Sequence, residues 1–209
     1  MSVTLKTEGI VLKSVDYREA DRLYTIFTKD YGKLVLRAMG VKKINSKLAG
    51  HLEPLTRSSL FIAQARGYSK IGGAQILCSY SRLKKDYAKL QGVNYCLLVF
   101  NDLVLEQNKD AAIYVLLKDF LSFCDRNKIN ALILQSFILK LLHELGLKPD
   151  YSQAQGDLAK VLHFLSSDTW EKILKLRISP KLWPQLNLVF SNVLKNNVSI
   201  GLQQRNFLL

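Results

Sequence analysis

The feature that most constrains this chain is a change of hydrophobic period near Ser81. Before it, apolar residues alternate with polar ones at about every second position, as half-buried strands require. Beyond it they recur at three- to four-residue spacing, as helical faces require. The reading is therefore α+β: a five-stranded OB-type β-barrel over residues 1–80, then an all-helical domain over 81–209 that lacks zinc. Five short strands leave long unpaired edges unless the sheet closes on itself, which is why a barrel is the economical arrangement.

Strands are expected at 5–14, 22–28, 33–38, 55–64 and 68–77. Val15 to Asp21 reads as a charged connection, and Lys29-Asp30-Tyr31-Gly32 as a tight turn in which Gly32 can supply a positive φ. In the third strand Leu34, Leu36 and Ala38 share one face, Lys33, Val35 and Arg37 the other. Gly72-Gly73 suggests a bulge or tight bend in the fifth. Helices are expected at 87–106, 111–124, 131–145, 157–166, 169–176 and 181–194. Leu134, Phe137, Ile138, Leu141, Leu142 and Leu145 mark one face of the third, which Gly146 and Pro149 end.

Charge is concentrated in the first part of the chain. The formal net charge is +13 over 209 residues; 17 Lys+Arg face 7 Asp+Glu up to residue 89, against 13 and 10 beyond. The surplus centres on a loop between Gly40 and Gly50, where Lys42, Lys43 and Lys47 have no acid among them. Such a loop presents positive charge to an anionic partner. Arg18, Arg22, Lys33, Arg37, Arg66 and Lys70 extend the basic set as candidate nucleic-acid-binding residues. Tyr24 and Tyr68, interleaved with them, would stack on bases if exposed, but barrel filling is the preferred reading for both.

Other function classes lack their signatures. There is no phosphate-cradling glycine motif, no second histidine one turn after His143-Glu144, and no nucleophile elbow at Gly67-Tyr68-Ser69-Lys70-Ile71. His51, His143 and His163 fall in different elements. Cys78, Cys96 and Cys124 are odd in number and form no CxxC pair, so buried thiols are expected, with no metal and no cofactor. No catalytic residue is assigned. No apolar run is long enough to cross a bilayer and residues 1–13 are unlike a signal peptide, so a cytoplasmic protein is expected.

The segments Thr7-Glu8-Gly9-Ile10-Val11-Leu12-Lys13, Tyr17-Arg18-Glu19-Ala20-Asp21-Arg22-Leu23, Gly32-Lys33-Leu34 and Ala38-Met39-Gly40-Val41-Lys42-Lys43 resemble the RecO family of bacterial DNA repair proteins. The likeness continues through Ser46-Lys47-Leu48-Ala49-Gly50 and Leu52-Glu53-Pro54-Leu55. Residues 141–149 and the tail 204–209 match more loosely.

The resemblance implies an OB domain followed by a helical domain, and a protein that catalyses no covalent step. It would bind single- and double-stranded DNA, anneal complementary strands and, with RecR, help load RecA onto DNA covered by single-stranded-DNA-binding protein. Lys33, Arg37, Lys42, Lys43 and Lys47 would then touch phosphates. The family's helical domain also docks the acidic, phenylalanine-ending tail of single-stranded-DNA-binding protein; Phe137, Leu141 and Lys140 or Lys128 are the candidate pocket. Many relatives carry a cysteine-rich zinc site after the Leu-Gly-x-x-Pro helix end, but 150–156 here contains no cysteine. The competing readings are an RNA-binding OB protein and a protein-interaction adaptor with a basic face.

Overall fold

A computed structural model describes residues 4–64, 68–147 and 154–198. Five strands, β1 (Thr4–Tyr17), β2 (Asp21–Thr28), β3 (Gly32–Ala38), β4 (Arg57–Ala63) and β5 (Lys70–Cys78), close into a barrel in the order β1-β2-β3-β5-β4. Helices follow: α1 (Ser81–Lys85), α2 (Tyr87–Leu103), α3 (Ala111–Arg126), α4 (Ala131–Glu144), α5 (Gly156–Ser167), α6 (Trp170–Lys175) and α7 (Trp183–Asn197). The chain divides into two compact units. One takes the chain up to Lys84 with Leu105–Lys118, the other Lys85–Val104 with the chain from Asp119 onward.

The barrel forms where the period-two pattern expects it, and its departures have local causes. Ile10, Val11 and Leu12 are all buried, which strict alternation forbids. A register shift between Val11 and Lys13 in the β1–β2 ladder resolves this, and β1 runs on to Tyr17, paired with Asp21. The connection expected over 15–21 therefore shrinks to Arg18–Ala20, with Arg18 at φ 57°. A second shift, where Phe61 faces Gly73 and Ile62 faces Ile71, leaves Gly72 unpaired. That is the bulge the double glycine suggested.

The β2–β3 hairpin turns at Gly32, whose φ is 67°. The Thr28 hydroxyl donates to the Gly32 carbonyl (2.8 Å) and accepts from Tyr31 N–H (3.1 Å), which pins the turn. A Cβ at Gly32 would collide with the Asn108 backbone, so glycine is required for space as well as for backbone geometry. The barrel core contains Val11, Tyr24, Ile26, Leu36, Leu60 and Ile62, with Val41 and Leu52 contributed by the β3–β4 connection.

In the second unit α4 is the central helix, packed against α2, α5 and α6. Of the stripe identified on it, Leu134, Phe137, Ile138, Leu141 and Leu142 are buried while Leu145, at the C-cap, is half-buried; Leu132, Ile133, Gln135, Ser136 and Leu139 are buried too, so nearly the whole circumference of α4 faces protein. The Asn130 side chain accepts from Ile133 N–H (3.2 Å) at its start, and Gly146, at φ 71°, follows its end. Cys96 and Cys124 are buried free thiols whose pKa values burial pushes up, and Cys78 is half-buried. No helix among the described residues is long and apolar enough to cross a membrane.

Candidate nucleic-acid interface

The basic loop is held in place by one acid. Asp21, buried at the start of β2, accepts from Gly40 N–H through Oδ1 (2.7 Å) and from the Arg37 guanidinium, Nε and Nη2, through Oδ2. The Gly40 amide and then Arg37 hold its carboxyl below the usual carboxylate range. Lys42 N–H donates to the Ala20 carbonyl (3.0 Å), while Lys43 N–H to Gly40 O and Ser46 N–H to Lys43 O fold the loop into successive turns. Val41, 3% exposed, anchors it in the core. The β1–β2 turn thus fixes where the cationic loop begins.

Asp16 organises the outer layer. Its two oxygens take Arg22 Nε (2.8 Å) and Lys42 Nζ (3.0 Å), which hold its carboxyl down, Arg22 contributing most. Both pairs are substantially exposed, so their net stabilisation is small. Lys43, Lys47 and Lys70 are exposed, with no acid in ion-pair contact among the described residues.

Aromatic rings lie beside these cations. The guanidinium groups of Arg18 and Arg37 each sit 5.4 Å from the Tyr17 ring centroid. The Tyr17 ring meets Tyr68, in the β4–β5 connection, edge-on at 6.0 Å and 77°. The β1–β2 and β4–β5 connections are therefore in contact. In OB folds these loops flank the surface that binds oligonucleotides.

The basic residues read from the sequence thus separate into distinct settings. Arg18, Arg22, Arg37, Lys42, Lys43, Lys47 and Lys70 belong to the β1–β2 turn, the basic loop and the adjoining ends of β2, β3 and β5; Lys70 pairs with Arg37 across the barrel's closing bridge. Lys33 stands apart: it is 8% exposed, bridges to Glu106, and its carbonyl accepts from Gln107 N–H (3.0 Å). Arg66 lies outside the described residues. Tyr24 is in the barrel core as expected, whereas Tyr68 is 47% exposed, at odds with a filling role. Asp16, Asp21 and Tyr17 were read only as parts of a charged connection or a match segment; acids interspersed among the cations of 16–22 were the signal available.

In the helical unit Phe137 and Leu141 are fully buried, and Phe137 stacks on Phe120 at 4.1 Å. They are core residues. Lys140 Nζ donates to the Asp168 carbonyl (2.7 Å) and lies 5.2 Å from the Trp170 ring centroid, and burial lowers its pKa. A groove elsewhere, of about 430 Å³, combines cations with apolar surface and one acid: Asp86, Lys89, Gly92, Lys128, Ile129 and Leu134 line it, and Lys89 Nζ lies 3.8 Å from Asp86 and donates to the Cys124 carbonyl (3.4 Å). Gly92 lets α2 approach Leu134 closely: a Cβ there would come within 2.5 Å of Leu134 Cδ1. Among the described residues no cluster of three His, Cys, Asp or Glu could hold a metal ion. The loosely matching segments at 148–149 and 204–209, and most of 150–156, lie outside the described residues.

Comparison with known proteins places the chain. The family described as recombination protein O N terminal matches residues 1–80. The DNA repair protein RecO of Thermoanaerobacter sp. (strain X514) is 26% identical over 240 residues, spanning 98% of this chain and 96% of that protein. That of Caldanaerobacter subterraneus subsp. tengcongensis is 30% identical over 166 residues, 78% of this chain and 67% of that protein. With RecO of Myxococcus xanthus the identity is 30% over 145 residues, covering 69% of this chain but 59% of that protein.

Proposed function

Because the chain belongs to the RecO family of DNA repair proteins, we propose that its barrel is the DNA-binding module of a recombination mediator. The observation that carries this reading is the Asp21-anchored loop, which holds Lys43 and Lys47 in solvent without acidic partners beside Arg18, Lys42 and Lys70. Cations spread over a barrel end contact phosphates whatever the sequence, and counterion release then supplies the affinity.

The same chemistry suits strand annealing. Neutralising the phosphates of two complementary strands lowers their repulsion, and it leaves the base edges free to pair. No covalent step is required, so the proposed role is non-catalytic, acting on single- and double-stranded DNA. With RecR it would help RecA onto strands coated by single-stranded-DNA-binding protein. For the acidic tail of that protein, the groove beside the exposed Lys128, over Leu134, offers a cation and an apolar floor that buried Phe137 and Leu141 do not.

The test is the salt dependence of DNA binding. Replacing Lys42, Lys43 and Lys47 by Ala together is expected to flatten the slope of log affinity against log salt on duplex DNA by up to about 0.9 per lost contact. An unchanged slope would place the DNA surface elsewhere. Competition by RNA of the same sequence that outweighed DNA would turn the module into an RNA binder.

A further inference from the structure

A groove of about 550 Å³ runs along the outer edge of β3, within the barrel unit. It exists because the barrel closes sparsely there. β3 pairs with β5 at Arg37 and Lys70, with Arg37 N–H donating to the Ser69 carbonyl (2.9 Å), and segment 105–109 meets β3 at Lys33; between these points residues 34–36 border the opening. Its volume falls within the ~300–1,000 Å³ range of small-ligand sites.

Its lining differs from the basic loop. Asp30 and Glu106 balance Lys33 and Lys109, so the groove carries no formal surplus charge to draw in phosphate. Tyr68 and the half-buried Leu5, Tyr31, Leu34 and Val35 line it with aromatic and aliphatic surface, over Leu36 and Ile62 of the barrel core. Tyr68 is nearly half exposed, yet it is braced edge-on by Tyr17, itself flanked by two guanidinium groups. A ring held this way loses little freedom when a planar group stacks on its open face.

We propose that this groove is a subsite for unpaired bases, with Tyr68 as the stacking residue that separates single strands from duplex. The proposal rests on the DNA-binding reading above and divides the surface in two. The backbone follows the lysines of the loop, and exposed bases turn into the charge-balanced groove. Bases in a duplex present no free face, so paired DNA uses the cationic rim alone. Stacking occupies the face of a base and leaves its pairing edge open, which is compatible with annealing.

The test measures affinity of the full chain for three probes of equal length: an oligothymidine of about 16 nucleotides, the upper end of site sizes for one OB fold, an abasic strand, and a duplex. Tyr68→Ala is expected to weaken binding of oligothymidine about 5- to 150-fold, the range for loss of one stacked base. Binding of the abasic strand and the duplex stays as in the wild type, and Tyr68→Phe keeps the preference for bases. Equal affinity of Tyr68→Ala and wild type for oligothymidine overturns the subsite; if the triple lysine variant still flattens the salt slope, the DNA-binding reading survives that result. Absence of binding to all three probes at low salt removes both.

Discussion

The barrel unit and the helical unit spend the same residue types in opposite ways. In the helical unit Phe120 and Phe137 stack in the interior with the half-buried Trp170 tilted against Phe120, and Lys160 and Lys172 pair with acids three or four positions away on the same helix or at its start. In the barrel unit the half-buried Tyr17 lies against Arg18 and Arg37 and meets the exposed Tyr68, while Lys43 and Lys47 have no acid in contact among the described residues. Aromatics packed with aromatics and charges neutralised locally serve stability. Exposed rings and uncompensated cations are surface left for a partner.

The largest effect that could break this contrast is on folding. Phe137→Ala removes a fully buried ring from the stack and is expected to cost about 3–5 kcal/mol, read as a lower urea midpoint. It should leave the salt slope of DNA binding alone. Tyr68→Ala, at an exposed position, is expected to change stability by no more than about 0.5 kcal/mol. Comparable losses from the two substitutions would show that the barrel's surface rings are structural after all.

A second contrast lies inside the barrel, between the acid that fixes the loop and the cations it presents. Asp21 has a lowered carboxyl pKa because it accepts from the Gly40 amide and from Arg37. A carboxyl lowered on folding contributes fully above its ordinary value, near 3.8, and that contribution is lost as pH falls through the folded value. Asp21→Asn should therefore lower the urea midpoint at neutral pH, and the two proteins should converge as acidification takes Asp21 through its lowered folded value. A gap that persisted in acid would mean the side chain acts through packing and not through its charge.

How much of this was legible beforehand depended on the range of the cause. The strands, the Gly32 turn and the Gly72 bulge follow from local pattern, as does the burial of Phe137 and Leu141, which is what an i, i+4 stripe most directly implies. The continuation of β1 to Tyr17 was hidden because the shift near Leu12 breaks the alternation on which a strand is recognised. Lys33 was misleading for a longer-range reason. It sits on the outward face of β3 by alternation, but residues 105–109 cover that face, and nothing near Lys33 in sequence announces them. The role of Asp21 also needed three segments, around 21, 37 and 40, to meet. For Tyr68, position on a strand pattern suggested filling, and only closure of the barrel shows the ring standing at its rim.

Among the loop cations the expected differences are smaller. Lys43 and Lys47 have no acid to leave, whereas Lys42 must give up Asp16 before it can serve a phosphate fully. Replacing Lys43 and Lys47 together should flatten the salt slope by up to about 1.8, and replacing Lys42 alone by less than about 0.9. Equal effects per lysine would mean that the Asp16 contact is broken in solution.

Asp16→Asn is the finest probe of the same contrast, because it alters the compensation and leaves every cation in place. Asp16 holds both Arg22 and Lys42, and each pair is exposed enough that little folding stability depends on it. Removing its charge releases two cations toward the partner. DNA affinity at low salt should rise and the slope should steepen, by less than the roughly 0.9 of one complete new contact. Stability to urea should stay close to that of the parent protein. Weaker binding in Asp16→Asn would reverse the assignment of Asp16: it would then be positioning Arg22 and Lys42 for the phosphates, and the barrel would resemble the helical unit in using paired charge as structure.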